Sequence, residues 1–424
     1  MLSREDNELV TRTGPGTPAG ELFRRYWIPA LLSEEIPAAD CPPVRVKLLG
    51  ENLVAFRDSQ GRIGLLDEYC SHRGSSLFYG RNEDCGLRCI YHGWKYDVKG
   101  NVLETPAEGV NSDLKNKIHH KAYPSREMAG VVFTYMGPED KMPVFPNYPW
   151  LMVPPSHLIV TKFFLECNYF QALEGDCDTS HAAYLHRGNH GGGLALQEDP
   201  SPGFEIEYTW CGIRAPASRQ VGSDKQDVRV STFAMPFVGS VPVGKFINGK
   251  LDGFLAVYQV PSNDLGTWRY NFRFKRSEPM TEKEHDFDKS QVGAEYKLIA
   301  NRHNEYLLDR QKQKTRNYSG IEGFATQDAC VTESMGAIVD RTKEHLGSSD
   351  SYVIALRRFL IKAIKDFQKN LDPPGLVFDP SQNDYSAVNC TWVTIPIGGP
   401  WRETESKMYG PWKNLDTRFS KEIS

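Results

Sequence analysis

Four residues in the first quarter of the chain have the types and spacing of a metal cluster. Cys70-Ser71-His72 and Cys89-Ile90-Tyr91-His92 give C-x-H, a gap of sixteen residues, then C-x2-H. Each half offers one soft thiolate and one imidazole. Two thiolates suit one ferric iron of a [2Fe–2S] cluster, and two imidazoles suit the other. Replacing two thiolates with neutral imidazoles removes negative charge, so such a centre accepts an electron readily, at roughly −150 to +300 mV. Gly74 and Gly93 are expected to let backbone N–H groups approach the sulfurs, where a side chain would collide. Zinc is the bland alternative for two cysteines and two histidines. Zinc patterns pair Cys with Cys and His with His, whereas here each arm carries one of each. Cys85, four residues before Cys89, is either a rival thiolate or a free thiol in the loop.

A second group follows. Asp178, His181 and His186 spell D-x2-H-x4-H within the run Asn168 to His186. Two imidazoles and one carboxylate on one face of a metal suit ferrous iron with positions open for oxygen and substrate. On an ideal helix, residues five apart point about 140° apart. The helix must therefore loosen or break near Tyr184 for both rings to reach one ion. Alone, two histidines five apart are more often surface or core residues. The one-electron carrier upstream is what turns them into a redox pair.

Positioning these groups takes two kinds of structure, so the chain reads as α+β. Residues 44–135 alternate short strands and turns: Val44–Leu48 with period two, a turn at Gly50-Glu51-Asn52, then Leu53–Phe56. Further turns at Asp58–Gly61 and Asp97–Asn101, with strands at Ile63–Leu66 and Val131–Tyr135, make this an all-β module. Pro143, Pro146, Pro149, Pro154 and Pro155 then mark a boundary. Beyond it, helix is expected near 166–186, 281–315 and 351–370, and strand near 204–220, 228–240, 253–260 and 267–275. The stretch Gly188–Gly193 reads as a mobile loop, and the polar tail from Gly398 as a surface wrap. The domain division expected is 1–40, a segment packing on the catalytic domain; 41–145, the cluster domain; and 146–424, the catalytic domain.

The bulk numbers narrow the class. The chain has 424 residues, 40% apolar and 25% charged, with a net charge of −4. That is ordinary for a globular protein with a real core, and the balanced signs argue against nucleic acid or an anionic membrane as partner. The charged start Met1–Asp6 lacks an apolar signal segment, and no apolar run reaches the ~20 residues needed to span a bilayer. A cytoplasmic location and small-molecule substrates are the expectation. Nine scattered cysteines read as ligands or buried thiols rather than a disulfide framework.

At Cys70-Ser71-His72-Arg73-Gly74 and Cys89-Ile90-Tyr91-His92-Gly93-Trp94 the chain resembles the Rieske non-haem iron oxygenases. The usual residue between the first Cys and His is proline; here it is Ser71, a position that supplies no ligand. The resemblance implies a Rieske [2Fe–2S] cluster on Cys70, His72, Cys89 and His92. It also implies a mononuclear Fe(II) in a catalytic domain of helix-grip type, an antiparallel sheet flanked by helices. His181 and His186 would be iron ligands. The third ligand would be Asp328 in Gln327-Asp328-Ala329-Cys330, with Glu333 as rival. Asp178 would be the acidic bridge from the iron to a Rieske histidine, His92, of a neighbouring subunit. Glu174 and Asp176 read as helix and outer-shell groups.

The likeness covers nearly the whole chain. Thr11–Pro18, Phe23–Trp27, Leu173–Asp176, Glu333–Gly336 and Asp340–Thr342 resemble the phthalate 4,5-dioxygenase branch of α subunits. Such proteins assemble as homotrimers or stacked trimers (hexamers) and take electrons from a separate NADH-dependent flavin and iron–sulfur reductase. They dihydroxylate, monooxygenate or O-demethylate aromatic carboxylates and ethers. A carboxylate substrate would favour an arginine, and Arg214 and Arg219 are the candidates, although strand arginines usually face solvent. Ser180 is a candidate hydrogen-bond donor to substrate, or plain helix surface. Gly191, Gly192 and Gly193 are a candidate lid. The competing class is a Rieske electron-transfer protein, which would need only the small β module and not the roughly 270 residues beyond it.

Overall fold

The computed structural model describes residues 1–109, 111–188 and 199–411. Apart from Gly188, the expected loop with its lid glycines Gly191, Gly192 and Gly193 lies outside the described residues, as does the tail beyond 411. Two units are present: Thr13–Phe145, and Met1–Arg12 with Pro146–Ser424. Among the described residues, no helix is long and apolar enough to cross a membrane.

The unit Thr13–Phe145 is built from short antiparallel strands. Val44–Leu48, Glu51–Arg57 and Ile63–Asp67 form one sheet. Its first strand alternates exposed and buried residues, as period-two patterning requires. Arg81–Glu83, Gly86–Arg88, Lys95–Tyr96 and Val102–Glu104 form a second sheet. Between the two lies a core of Val54, Phe56, Leu66, Leu87, Trp94 and Tyr96 that also contains Cys70 and Cys89. The turn at Asp97–Asn101 needs its glycine: Gly100 has φ +85°, and a Cβ there would meet the His120 carbonyl oxygen at 1.9 Å.

Residues 13–40 belong to this unit, which corrects the expected 1–40 segment. Trp27–Leu32 pairs antiparallel with Val131–Tyr135, which pairs with Ser125–Met128. Arg24 is buried and donates to Glu51 at 2.9 Å, and Glu51 also accepts from Tyr123 at 2.7 Å. Separating these partners would strand a buried charge. Only the helix Arg4–Thr11 goes with the larger unit, where Asn168 donates to the Thr11 carbonyl and Tyr169 to that of Val10.

The larger unit centres on a nine-stranded antiparallel sheet. Its order is Leu158–Leu165, Gly266–Phe274, Leu255–Asn263, Val238–Val241, Lys225–Ala234, Gly212–Val221 and Gly203–Phe204, with Glu207–Thr209 and Thr391–Pro396 pairing off this path. The helix Tyr169–Cys177 is buried along nearly its whole circumference, between the sheet and other segments of the unit, which explains its weak amphipathicity. The helix Ser351–Gln368 lies where expected.

Three segments differ from the sequence reading. The helix expected over 166–186 spans only Tyr169–Cys177. The one expected over 281–315 is interrupted between Glu282–Lys289 and Arg310–Thr315, with left-handed backbone at Glu295, Glu305 and Tyr306. Leu298 and Tyr306 leave the helical path to fill a core with Phe163, Leu165 and Ala329. The described part of the tail is a docked helix, Trp401–Tyr409, with Trp401 and Glu405 buried, rather than a surface wrap.

Candidate metal centres

Both loops of the smaller unit use one backbone device. Cys70 N–H donates to the Ser75 carbonyl, and Gly74 N–H donates to the Cys70 carbonyl, at 2.9 and 2.8 Å. Cys89 N–H donates to Trp94 and Gly93 N–H to Cys89, at 2.8 and 3.0 Å. Each pattern closes through a left-handed glycine, Gly74 at φ +74° and Gly93 at φ +75°. In the first loop the backbone N–H of His72 reaches the Cys70 sulfur, in keeping with the approach expected beside these two glycines. Their N–H groups hold the loops shut through carbonyls, and a Cβ on Gly93 would meet Pro106 at 2.7 Å.

The four side chains converge. Cys70 and Cys89 are 4% and 1% exposed, and the Cys89 charge acts on Cys70. The rings of His72 and His92 lie 4.5 Å apart at 77°, and His72 stacks on Trp94 at 4.7 Å. Nδ1 of His72 is buried with no hydrogen-bond partner. A buried ring nitrogen without a partner is costly unless something binds it. Burial pushes the Cys70 thiol up, against a hydrogen bond with the Tyr96 hydroxyl 3.0 Å away. Desolvation, then the His72 and Arg73 charges, hold His92 below the usual imidazole range. Two cysteine sulfurs and two imidazole nitrogens fit a [2Fe–2S] cluster of mixed ligation. Cys85 is not with them: it sits half-exposed in the hairpin turn after Arg81–Glu83, its N–H bonded to Ser59 Oγ.

In the larger unit, His181, His186 and Asp328 place one ligand atom each within 4.8 Å of one another, the metal-capable group found among the described residues. Nε2 of His186 lies 3.2 Å from Nε2 of His181 and 3.2 Å from Asp328 Oδ1. The backbone explains how histidines five apart meet. The helix stops at Cys177, Asp178 is extended at φ −93° and ψ 107°, and His181–Ala183 forms a single 3-10 turn. Tyr184, at φ −112° and ψ −61°, completes the break. Asp178 caps that turn, accepting from Ser180 N–H at 2.7 Å, while its Oδ2 faces His181 Nδ1 at 3.7 Å. Burial opposes protonation of His181, but Asp178, with Asp328 and Asp176, raises its pKa to about 8.

The helix Phe324–Ser334, unforeseen in the sequence, brings Asp328. The residue before it fixes a ring. Gln327 Nε2 donates to the Ile321 carbonyl at 2.8 Å, so its Oε1 is the atom 2.7 Å from His186 Nδ1. A carbonyl-type oxygen only accepts, so the His186 proton sits on Nδ1 and Nε2 keeps its lone pair for a metal. Arg269, also missed, lies 3.2 Å from Asp176 and 3.8 Å from the second oxygen of Asp328. Its cross-strand partner Gln259 donates to Asp176 at 2.6 Å. Strand alternation was the signal available for both. Glu333, the rival to Asp328, is occupied by Tyr306 and the Glu166 N–H. A cavity of about 520 Å³ opens on the centre, lined in part by Leu165, Asp178, His181, Tyr184 and Asp328.

The candidate substrate groups separate. Arg214 and Arg219 are five apart on one strand and so on opposite faces. Arg214 is buried in an ion pair with Glu207 and Glu405 and does not reach the site. Ser180 Oγ turns to the Ser349 carbonyl. Arg219, 1% exposed, donates to Thr179 beside Asp178, while its Nε and Nη1 have no hydrogen-bond partner.

Residues 26–123 match the family described as the Rieske [2Fe-2S] domain, and residues 134–420 match "LigXa C-terminal domain like". The phthalate 4,5-dioxygenase oxygenase subunit of Pseudomonas putida is 38% identical over 87% of both chains. The 3-chlorobenzoate-3,4-dioxygenase oxygenase subunit of Comamonas testosteroni is 35% identical over 89% of this chain and 92% of that protein. NdmA of Pseudomonas putida CBB5, solved with caffeine, shares the fold with a TM-score of 0.62 at 20% identity, covering 85% of this chain and 99% of that one. A Rieske domain followed by a catalytic domain of this kind, with the likeness running the length of the chain, makes the protein an oxygenase subunit of the Rieske non-haem iron oxygenases, on the phthalate 4,5-dioxygenase-like branch.

Proposed function

We propose that the chain is the terminal oxygenase of a multicomponent system that hydroxylates an anionic aromatic substrate, in the manner of an aromatic-carboxylate dioxygenase. The observation that carries this is the convergence of His181, His186 and Asp328 in a chain that also bears a Rieske module. Cys70, Cys89, His72 and His92 would hold the cluster, and His181, His186 and Asp328 would hold the iron. When bound, the cluster relays single electrons from a separate NADH-dependent reductase, and the iron activates O2.

The chain's own residues prepare that chemistry. Gln327 holds His186 in the tautomer that presents Nε2. Asp178 orients His181 and offers a partly exposed carboxylate towards a cluster histidine, His92, of another copy in a trimer or stacked trimers. Arg269 draws on the second oxygen of Asp328. Arg219 supports an anionic substrate: its unsatisfied N–H groups are desolvated, and its pKa is lowered by that burial. A substrate carboxylate would satisfy them. Arg229 lies on the same sheet face, its Nε likewise without a partner.

The experiment is a substrate screen with reductase and NADH, following O2 uptake and product mass. Gain of two hydroxyls on an aromatic carboxylate is the expected result. Formaldehyde release from a methoxylated aromatic would identify O-demethylation instead. Iron content separates oxygenase from electron carrier: three irons per chain are expected, falling to two in His181→Ala. Two irons in both proteins would support the carrier.

A further inference from the structure

Ser71 stands between the two ligands of the first loop, and its hydroxyl is engaged. Its Oγ lies 2.7 Å from Nδ1 of His120. The other ring nitrogen of His120, Nε2, lies 2.9 Å from the backbone carbonyl oxygen of Asp67. A carbonyl only accepts, so the ring proton is on Nε2, and Nδ1 receives the Ser71 hydroxyl. Burial pushes the His120 imidazole below its usual range, so the ring is neutral, as this pattern needs. His120 is 1% exposed. Its place is fixed by backbone as well: Ala122 bridges antiparallel to Leu66, Asp67 N–H donates to the Lys121 carbonyl, and His120 N–H donates to that of Gly100.

The same ring lies 4.5 Å from that of Tyr96, whose hydroxyl is 3.0 Å from Cys70 Sγ. One buried imidazole therefore touches the end of the strand Ile63–Asp67, the residue between two ligands, and the tyrosine that reaches a ligand sulfur. Where related loops carry proline, the ring of that residue fixes φ covalently. Serine has no such restraint, so the loop needs another tether.

We infer that Ser71 and His120 are positioning residues for the cluster: the pair ties the first ligand loop to the strand before it and keeps the Tyr96 hydroxyl on the Cys70 sulfur, which sets how readily the cluster is reduced. This rests on the reading that Cys70, His72, Cys89 and His92 hold a [2Fe–2S] cluster. A hydrogen bond to a ligand sulfur stabilises the more negative, reduced state, and a loop that drifts weakens it.

The test is a redox titration of the full-length, cluster-loaded protein, followed by visible absorption and by EPR of the reduced state. Ser71→Ala removes one hydroxyl and its bond to His120. It should make reduction about tenfold less favourable, a midpoint about 59 mV lower for one electron. His120→Phe should move the potential the same way, and Ser71→Thr, which keeps a hydroxyl, should restore it. Loss of the cluster from Ser71→Ala but not from Ser71→Thr would support the tether in its strongest form. A wild-type potential and EPR signal in Ser71→Ala would overturn it. A wild-type protein that binds no [2Fe–2S] cluster would overturn the ligand reading itself, a separate outcome.

Discussion

Gln327 and Arg219 each reach the candidate site from one side chain, and each can be tested alone. Gln327→Leu keeps the volume but removes the oxygen that accepts from His186 Nδ1. The ring can then turn or take the other tautomer, so Fe(II) affinity should fall about 10–100-fold, read by chelator competition. Arg219→Gln should raise KM for a carboxylate substrate roughly 10- to 100-fold, from about 1.5–3 kcal/mol for a charge-assisted bond, and leave a neutral analogue unaffected. Equal KM changes for both substrates would remove Arg219 from the anion site. At this scale ligand chemistry was legible and orientation was not. Cys, His and Asp at fixed spacing announce a metal. Nothing in the sequence says that Arg214 meets Glu405 from 191 residues away, or that Gln327 is anchored on Ile321.

Secondary elements aim these residues by stopping as much as by forming. The angular argument required a break between His181 and His186, and the chain breaks at Asp178 and again at Tyr184. The strands were legible because alternating burial leaves a period of two, as in Val44–Leu48. The helix Phe324–Ser334 was not, because it is buried on several sides and has no apolar stripe to detect. The Trp401–Tyr409 helix was hidden for another reason. Its composition is polar, and it is held by an ion pair from Glu405 to Arg214, an interaction no local pattern encodes. Glu405→Ala removes a carboxylate from that buried guanidinium and also takes an acceptor from Thr391. Unfolding in urea should show a loss of about 3–5 kcal/mol, the cost of breaking a buried pair. A loss under 1 kcal/mol would mean the helix is dispensable to the sheet.

At the scale of the whole molecule, each redox centre is built within a unit that has its own core. Cys70 and Cys89 belong to the core of Thr13–Phe145, and in the larger unit His181 and His186, which follow the helix Tyr169–Cys177, meet Asp328 of Phe324–Ser334. Loading one centre should not depend on the other, so His181→Ala should lose one iron and keep an unaltered cluster EPR signal. Turnover is different, because it needs electrons to pass from one kind of centre to the other. Asp178 is placed for that role: its Oδ1 caps the turn that carries His181, its Oδ2 faces the ring, and its side chain is 29% exposed. Asp178→Asn keeps the cap's acceptor oxygen and removes the charge. It should hold three irons per chain and be reduced normally by dithionite, yet product formation with reductase and NADH should be nearly abolished. A variant that turns over at the wild-type rate would leave Asp178 as a structural cap alone, and electrons would have to reach the iron by another path.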